Sequence, residues 1–466
     1  MTMRGRSLHE ECGVFGVFGA DKAAANVLAG LSALQHRGQE GCGVATLEPT
    51  GRIAVRKGLG LVSHVFPMDA FRDHAGRFAI GHVRYGTSGG GELDNVQPFV
   101  FHRDAHDFAV VHNGNIVNTE ELKIQLERMG TLFRSSSDSE ILGHLAHHLS
   151  TGKEGLTARS LKRALNLIDG AFSFLVLTPD RLFACRDKYG FRPLSIGRLE
   201  EGYVVGSETC ALHAVGARVL RDIQPGEVVE IGPDGITSSF FAAEHRNTLC
   251  AMEYIYFARP DSDIEGVNVH AYRVESGKIL FRESPADADM VFGVPDSGLS
   301  GAIGYARASG LPLETGLIKN FYVGRTFIQP NQSLRMTGVR MKLTPVPSVV
   351  KGKRVVVLDD SIVRGTTSLQ IVRMLRDAGA TEIHMRITSA PLRHPCYYGV
   401  DISTESELIS ARMNVDEVRQ YIGADSLAFL SEAGMLEAGR RTELCMACFN
   451  DDYPTALYSH GEDPGT

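Results

Sequence analysis

Long apolar runs are missing from this sequence, and no stretch is hydrophobic over enough residues to cross a bilayer. The first eleven residues lack the apolar core of a secretory signal peptide. Lysine and arginine form no long basic run, and the formal net charge is −7, which argues against a general affinity for nucleic acid. We therefore expect a cytoplasmic protein that binds neither membranes nor nucleic acid.

Cysteine is also sparse, with 8 among 466 residues. In a cytoplasmic protein such thiols are more often catalytic, metal-binding or inert than joined in disulfides. Internal repeats and low-complexity segments are missing as well. Because the chain is too long for one hydrophobic core, we expect two domains and a C-terminal extension.

The most informative stretch begins with an unbroken aliphatic run, Val355 to Leu358, typical of a strand buried on both faces of a parallel sheet. Asp359, Asp360 and Ser361 follow at its carboxyl end, where open α/β sheets bind ligands. A hydroxyl-rich loop comes next and leads into apolar residues at helical spacing; it reads Arg364-Gly365-Thr366-Thr367-Ser368. Loop N–H groups and a helix dipole favour a phosphate here, while paired acids favour a sugar diol, a divalent metal or both.

Taken alone, the Asp-Asp pair could simply end a strand and begin a turn. The whole run, however, resembles the phosphoribosyl-pyrophosphate motif of type I phosphoribosyltransferases, which have a parallel-sheet fold. The resemblance implies that residues 359–361 and 364–368 bind phosphoribosyl pyrophosphate. It also implies that an earlier loop binds pyrophosphate, namely Asp296-Ser297-Gly298. One Mg²⁺ per subunit would then be assisted by Ser297, Asp359 and Asp360.

A further segment, residues 316–328, mixes aromatic residues, glycine and two cations. It resembles the mobile lid of the same phosphoribosyltransferases, and a plain surface loop is the alternative. The resemblance implies that Lys319, Tyr322 and Arg325 contact phosphoribosyl pyrophosphate. We expect this segment to couple that substrate to the other half of the protein.

Several short motifs mark the first half of the chain. Cys12 begins a run of small and apolar residues that predicts a strand, where a cysteine usually serves packing. Farther on come Arg37-Gly38 in a polar loop, Arg84 at a strand end, Asn113-Gly114 at a turn signal and Asp138 near a helix start. Singly, these could be a surface ion pair for Arg84, a type I′ turn for Asn113-Gly114 and a helix cap for Asp138.

In this order the motifs resemble the glutamine amidotransferase domain of the N-terminal-nucleophile class. The resemblance runs from Cys12 to about Glu230 and implies an αββα sandwich with Cys12 as the nucleophile. It implies that Asn113 and the N–H of Gly114 form the oxyanion hole. Arg84 would bind the α-carboxylate of glutamine and Asp138 its α-ammonium group. The remaining motif, Arg37-Gly38, would lie in a loop that closes over glutamine.

Proteins of that class are cut directly before the cysteine, which implies a propeptide of residues 1–11. A free α-amine has a pKa of about 7.7–8.0 and can act as general base for its own thiol. The loop Asp187 to Leu194 is also typical of the class and could face either glutamine or the second domain. Three scattered cysteines are interpreted as small core residues: Cys42, Cys185 and Cys210.

The two domains together resemble the amidophosphoribosyltransferase family, which opens de novo purine synthesis. The boundaries we expect are a propeptide at 1–11, a glutamine amidotransferase domain (α+β) at 12–240, a phosphoribosyltransferase domain (α/β) at 241–440 and a C-terminal extension at 441–466. The resemblance implies glutamine and phosphoribosyl pyrophosphate as substrates, with ammonia from Cys12 transferred to C1 of the ribose. It also implies purine nucleotides as feedback inhibitors and a homo-oligomer, either a homotetramer or a dimer.

Two other kinds of protein share part of these motifs. A sugar-phosphate isomerising amidotransferase shares the first domain, but the Asp359-Asp360 motif argues against it. A ligand-sensing regulator with a phosphoribosyltransferase fold would not need the four residues Cys12, Arg84, Asn113 and Asp138 together.

The remaining cysteines are Cys250, Cys396 and the pair of a C-x-x-C motif, Cys445 and Cys448. From their spacing, a zinc site, a redox pair and a [4Fe–4S] cluster are all candidates. The resemblance favours the cluster, one per subunit, because one branch of the family binds it through cysteines at corresponding places. Another branch of the family lacks these cysteines.

Overall fold

The structure is a computed structural model that describes residues 12–67, 69–71, 74, 76–85, 93–102, 106–150, 155–320, 342–402 and 404–457. Two antiparallel sheets occupy the first half of the chain, and a parallel sheet occupies the second. Within the described ranges, no helix has both the length and the apolar character needed to span a membrane.

The first half alternates between strands of the two sheets. Its strands are β1 Gly13–Phe18, β2 Gly41–Leu47, β3 Ile53–Leu59, β4 Phe78–Arg84, β5 Phe99–Phe101, β6 Phe108–Ile116, β7 Gly170–Leu177, β8 Leu182–Arg186, β9 Ser195–Arg198, β10 Tyr203–Gly206, β11 Arg218–Asp222, β12 Glu227–Gly232 and β13 Gly235–Phe240. Its helices are α1 Ala23–Ala33, α2 Val62–Val65, α3 Thr119–Arg128, α4 Glu140–Leu149, α5 Ala158–Leu165 and α6 Thr209–Ala214.

These elements form four layers. One described sheet has the order β11-β9-β10-β1-β4-β2-β3, and the other has the order β13-β12-β8-β7-β6-β5. An apolar core lies between the sheets, and two further cores join each sheet to the helices outside it. The strands β6 and β7 are buried along their whole length, because one face meets the other sheet and the other face meets helices. The expected αββα sandwich is confirmed.

The second half has a parallel sheet between two helical layers. Its strands are β14 Asp263–Ile264, β15 Val267–Asn268, β16 Met290–Gly293, β17 Leu317–Lys319, β18 Leu343–Pro345, β19 Arg354–Asp359, β20 Glu382–Ile387 and β21 Ser426–Phe429. Its helices are α7 Val269–Glu283, α8 Gly298–Ser309, α9 Pro347–Val350, α10 Thr366–Asp377, α11 Ile409–Arg412, α12 Val415–Ile422, α13 Glu432–Gly439 and α14 Ala447–Asn450. A π-helical turn, Glu253–Phe257, precedes them.

The parallel sheet has the order β16-β19-β20-β21. Val355 and Val357 of β19 pack in a core with α10 and α12, whereas Val356 and Leu358 pack in a core with α7 and α8. The aliphatic run is therefore buried on both faces, as its composition predicts. The phosphoribosyltransferase fold expected for this half is confirmed.

The two halves share a buried interface. Phe191 stacks on Tyr398 with ring centroids 4.3 Å apart, and the N–H of Cys250 donates to the carbonyl of Phe191 at 3.1 Å. The half-buried carboxylate of Glu265 forms ion pairs with Arg186 of the first half and Arg441 of the second. The loop of residues 187–194 therefore faces the second domain, which answers the question that the sequence left open.

Candidate functional site

The register of the first sheet brings two expected glutamine-site residues together. Cys12 is fully buried and directly precedes β1. Gly13 pairs with Val83 of β4, and Arg84 follows as the last residue of that strand. The backbones of Cys12 and Arg84 are therefore neighbours on antiparallel strands at one end of the sheet.

Asn113 and Gly114 lie inside β6, not in a turn. Gly114 pairs with Phe172 of β7, and its φ is +149°. A Cβ atom at this position would lie 2.0 Å from the carbonyl oxygen of Ala171, so only glycine fits. The turn interpretation of the Asn-Gly pair was therefore wrong, because pairing along β7 overrides the local preference of the dipeptide.

The side chain of Asn113 is 1% exposed. Within the described part of the chain, neither its amide nitrogen nor its amide oxygen has a hydrogen-bond partner. Burying an amide without partners is costly, and proteins rarely leave such a group unsatisfied. A polar ligand bound beside Asn113 would remove this cost.

Asp138 does not cap the helix that follows it, so that interpretation was also wrong. Ser139 occupies the N-cap position of α4. The Asp138 carboxylate instead accepts the N–H of Ile116 at 2.8 Å, which fixes it beside the end of β6. Burial opposes its charge, but nearby His112 and the hydrogen bonds outweigh burial and hold the pKa of Asp138 below its usual range. The carboxylate is thus ready to bind a cation.

A buried polar network behind these residues was missed from the sequence. His112 Nδ1 lies 3.0 Å from Ser139 Oγ, and its backbone carbonyl is 3.1 Å from His82 Nε2. The Gln97 side chain bonds both His112 and Ser139. Burial, with Arg84 and His112, lowers the pKa of His82 to about 3, so this imidazole is neutral. In the sequence, the feature that could have identified His82 was its position two residues before Arg84 on the same strand.

Arg37 points away from solvent, into a second buried network. Its guanidinium forms ion pairs with Glu208 and with Glu253, and all three side chains are almost completely buried. Neighbouring Gly38 packs against the backbone of Arg84, where a Cβ atom would lie 2.4 Å from the carbonyl carbon. Gly38 is therefore required for the close approach of two chain segments. Glu208 and Glu253 carried no motif that could have identified them in the sequence.

The second sheet gathers the expected phosphoribosyl pyrophosphate residues at one edge. Gly293 of β16 pairs with Leu358 of β19, so both strands end at the same level. The loop after β16 leads through Asp296 to α8, which begins at Gly298 with Ser297 at its N-cap. A Cβ atom on Gly298 would meet the carbonyl of Leu358 at 2.3 Å. The loop thus lies directly against the start of the Asp359-Asp360 pair.

Asp359 and Asp360 are each 7% exposed. The N–H of Asp360 donates to the Asp359 carboxylate at 3.0 Å, and Ser361 Oγ donates to Asp360 at 2.7 Å. Burial, followed by the charge of Asp360, raises the pKa of Asp359 well above its usual value. Two buried carboxylates held this close favour binding of a cation or of hydroxyl donors.

The loop predicted to bind a phosphate lies at the N-terminus of a helix. Gly365 adopts φ 73° and precedes α10, whose first turn contains the remaining loop residues, Thr366, Thr367 and Ser368. Arg364 pairs with Glu407 at 2.8 Å, and Lys319 pairs with Asp296 across the site. The other two lid residues, Tyr322 and Arg325, lie outside the described residues.

The four cysteines assigned to a cluster come from three chain segments that meet. Cys445 donates its N–H to Leu249 at 2.8 Å and accepts the N–H of Ala251 at 3.1 Å, on either side of Cys250. The carbonyl of Cys448 accepts the N–H groups of residues 393 and 394, just before Cys396. All four side chains are buried in one core.

Among the described residues, no group of three or more His, Cys, Asp or Glu side chains is arranged to hold a single metal ion. The donor chemistry of the four cysteines nevertheless fits a thiolate-bound cluster. Burial, and then the neighbouring cysteines, raise the pKa values of Cys445 and Cys448 well above the usual range. The pKa of Cys250 is raised to about 12, mainly by burial. Bound iron would offset the negative charges that four buried thiolates disfavour in one another.

Comparisons with known proteins identify a domain family in each half of the chain. A model of the glutamine amidotransferase domain matches residues 91–214, and a model of the phosphoribosyl transferase domain matches residues 278–416. The amidophosphoribosyltransferase of Bacillus subtilis (strain 168) is 50% identical over 460 residues, covering 97% of this chain and 96% of that protein. The chain belongs to the amidophosphoribosyltransferase family.

Other members of the family support the assignment. The amidophosphoribosyltransferase of Staphylococcus aureus (strain COL) is 46% identical, covering 97% of this chain and 92% of that protein. A solved glutamine phosphoribosylpyrophosphate amidotransferase from B. subtilis, complexed with ADP and GMP, is 49% identical with a TM-score of 0.89, covering 96% of this chain and 98% of that one. Another solved structure, described as the allosteric regulatory enzyme of purine biosynthesis, is 50% identical with a TM-score of 0.90, covering 96% and 97%. The expected family, domain order and function in the first step of purine biosynthesis are confirmed.

Proposed function

We propose that glutamine is hydrolysed at Cys12 after removal of residues 1–11. The released α-amine of Cys12 takes the proton of its own thiol, and the thiolate attacks the amide carbon. Asn113 and the N–H of Gly114 bind the oxyanion, and the observation that carries this role is the buried Asn113 amide, which has no partner among the described residues. Arg84 binds the α-carboxylate and Asp138 the α-ammonium group.

In the second domain, we propose that ammonia attacks C1 of phosphoribosyl pyrophosphate as pyrophosphate leaves. Glutamine, phosphoribosyl pyrophosphate and water thereby give 5-phosphoribosylamine, glutamate and pyrophosphate. The N–H groups of residues 296–298 bind the leaving group, and Asp359 and Asp360 bind the ribose hydroxyls. The 5-phosphate lies against residues 364–368 at the N-terminus of α10. Lys319 and, in the lid, Tyr322 and Arg325 contact the pyrophosphate side.

Mg²⁺ would be held by the pyrophosphate with Asp359, Asp360 and Ser297, and would neutralise the charge of the leaving group when bound. The buried acid pair supports this role, because a cation offsets the charge that burial disfavours. The surrounding residues orient the ribose and exclude water.

The experiment for this function is separation of the two activities in one variant. Cys12→Ala is expected to abolish glutamine-dependent release of pyrophosphate and to retain release with high ammonium, because the second domain is untouched. Cys42→Ala is a matched control, since Cys42 is an equally buried strand cysteine of the same sheet. Loss of both routes in Cys12→Ala would contradict the nucleophile assignment, as would active protein whose N-terminal sequence still begins at Met1.

We also propose one [4Fe–4S] cluster per subunit, bound by Cys250, Cys396, Cys445 and Cys448, with a structural role. Purified protein is expected to be brown and to contain about four iron and four sulfide per chain. Cys445→Ser should lose colour and stability, because cluster binding is coupled to folding. Cys185→Ser, at a buried cysteine in another core, should keep the colour. Colourless, zinc-loaded wild type would contradict the proposal.

Nucleotide regulation, assembly and domain boundaries belong to the same proposed function. The solved B. subtilis relative is complexed with ADP and GMP, which supports purine nucleotides as feedback inhibitors of this chain. We propose a homo-oligomer, either a homotetramer or a dimer, in the cytoplasm. The working domain boundaries are 12–240, 241–440 and 441–466, with the last segment completing the cluster site.

A further inference from the structure

One buried carboxylate joins the two halves of the molecule close to the glutamine site. Glu253 belongs to the second domain, lies in the π-helical turn Glu253–Phe257 and is completely buried. It binds two arginines of the first domain. Arg37 contributes Nη1 at 3.3 Å and Nη2 at 2.5 Å, and Arg192 contributes Nη1 at 3.0 Å.

Arg37 makes two of its three side-chain hydrogen bonds to this carboxylate. Its Nε bonds Glu208, and its two terminal nitrogens bond Glu253. Burial lowers the stability of the Arg37 charge, but the two carboxylates outweigh it and raise the pKa of Arg37. The guanidinium is therefore fixed in one orientation by two partners that are distant in sequence. A side chain so held also fixes the backbone that carries it.

That backbone supports Arg84. The next residue, Gly38, has an extended backbone with φ −160° and lies against the Arg84 peptide without room for a Cβ atom. Two residues later, the N–H of Glu40 donates to the carbonyl of Arg84 at 3.0 Å. The segment 37–40 therefore sets the position of the strand end from which the Arg84 side chain extends.

We propose that Glu253 is a positioning residue for glutamine binding. It holds Arg37, and through the segment 37–40 it holds Arg84 where the α-carboxylate of glutamine is bound. The inference rests on the proposed glutamine site, but it assigns to the second domain a residue that shapes that site. Glu253 touches neither substrate, so its effect is on the affinity for glutamine and not on the chemistry at the ribose.

The test compares two carboxylates, each of which binds two arginines at the interface between the halves. Glu253→Gln removes the charge shared by Arg37 and Arg192. The matched control, Glu265→Gln, removes the charge of a carboxylate that is 10% exposed and binds Arg186 across the interface and Arg441 within the second half. Both variants should lose stability. Glu253→Gln is expected to raise the KM for glutamine at least tenfold while ammonia-dependent kcat stays within twofold of wild type, and Glu265→Gln should leave the KM for glutamine unchanged.

Several results would overturn the proposal. An unchanged KM for glutamine in folded Glu253→Gln, a parallel loss of both activities, or an equal rise of KM in Glu265→Gln would each assign Glu253 a purely structural role. If Glu253→Gln does not fold, Glu253→Asp serves in its place, because the shorter carboxylate keeps the charge but not both arginine contacts. Failure of that variant to fold would reject the proposal as well. Wild type without glutamine-dependent turnover would instead contradict the proposed function itself.

Discussion

At the residue scale, the acid pair of the second domain shows a conflict between binding and stability. Asp359 is buried beside Asp360, and the pKa of Asp359 is raised first by burial and then by its neighbour's charge. A carboxyl group with a raised folded-state pKa contributes most to stability at low pH, and this contribution is lost as the pH rises toward the folded pKa. The two charged carboxylates therefore do not stabilise the fold, and their role is to bind ligands.

Asp359→Asn is expected to raise the Tm of protein free of Mg²⁺ and substrate by a few degrees at pH 8. The increase should shrink as the pH falls below the unfolded pKa of about 3.9, where the wild-type carboxyl becomes protonated in both the folded and the unfolded state. Ammonia-dependent turnover should be lost, because the acid pair can no longer bind the ribose and cation. The amide oxygen can still accept the N–H of Asp360.

The control is Asp289→Asn, whose carboxylate is held by hydrogen bonds from Arg354 that lower its pKa. That variant should lower the Tm at pH 8 and retain turnover. A lower Tm for Asp359→Asn at pH 8 would contradict the prediction.

Residue types and their order in the chain sufficed to predict Cys12, Arg84 and the acid pair as site candidates. The partners of those residues could not be predicted in the same way. Arg37 binds carboxylates 171 and 216 positions away, and no local pattern records such a pairing. The turn expected at Asn113-Gly114 failed for a related reason, since the partner strand decides its conformation.

At the scale of elements, the phosphate loop depends on the left-handed conformation that precedes α10. Gly365 has φ 73°, and a Cβ atom there would lie 2.7 Å from Ile409 Cδ1. Gly352 has nearly the same φ, 72°, but nothing lies within 4 Å of its added Cβ. Substitution of Gly352 therefore tests backbone strain alone, whereas substitution of Gly365 tests backbone strain together with a close contact at the site.

Gly365→Ala and Gly352→Ala should each lose about 1–2 kcal/mol of unfolding free energy from left-handed strain. Only Gly365→Ala should also raise the KM for phosphoribosyl pyrophosphate, by about tenfold or more, because a shifted loop no longer matches the phosphate. Denaturant unfolding and ammonia-dependent kinetics measure the two effects. An unchanged KM in Gly365→Ala, or an equal rise in Gly352→Ala, would show that this geometry does not control binding.

Apolar runs predicted individual buried strands such as β7 and β19, whereas the two folds were expected from the resemblance of the motifs to known families. The second half of β6 was not predicted as a strand, because it carries the polar residues His112, Asn113 and Asn115. The π-helical turn at Glu253–Phe257 has no comparable pattern. Its geometry follows from tertiary contacts, in which Arg273 donates to the carbonyls of Tyr254 at 2.8 Å and Ala258 at 2.9 Å.

At the scale of the whole molecule, the same turn lies between the two candidate sites. Arg273 holds the turn, and the charge of Asp360 stabilises the Arg273 guanidinium against the burial that lowers its pKa. On the other side, Glu253 holds Arg37 next to the glutamine site. The lid expected to couple the sites lies mostly outside the described residues. The π-helical turn is a second physical connection between the two sites, and its contacts with Arg273 and Arg37 lie within the described residues.

A connection of this kind has a thermodynamic consequence. Phosphoribosyl pyrophosphate should tighten the binding of a glutamine analogue, and the analogue must tighten the binding of phosphoribosyl pyrophosphate by the same factor. A coupling free energy of about 1–3 kcal/mol corresponds to a factor of about 5–150. Calorimetric titrations of Cys12→Ala, which does not turn over glutamine, measure both factors at equilibrium.

The same titrations with Glu253→Gln added to Cys12→Ala test whether the turn carries the coupling. If it does, both factors should fall toward one, while phosphoribosyl pyrophosphate alone binds as in Cys12→Ala. Glu265→Gln in the same background should keep both factors, because its arginines lie elsewhere on the interface. A coupling factor unchanged by Glu253→Gln would leave the lid segment as the carrier. Factors of one in Cys12→Ala itself would mean that the two sites bind their substrates independently.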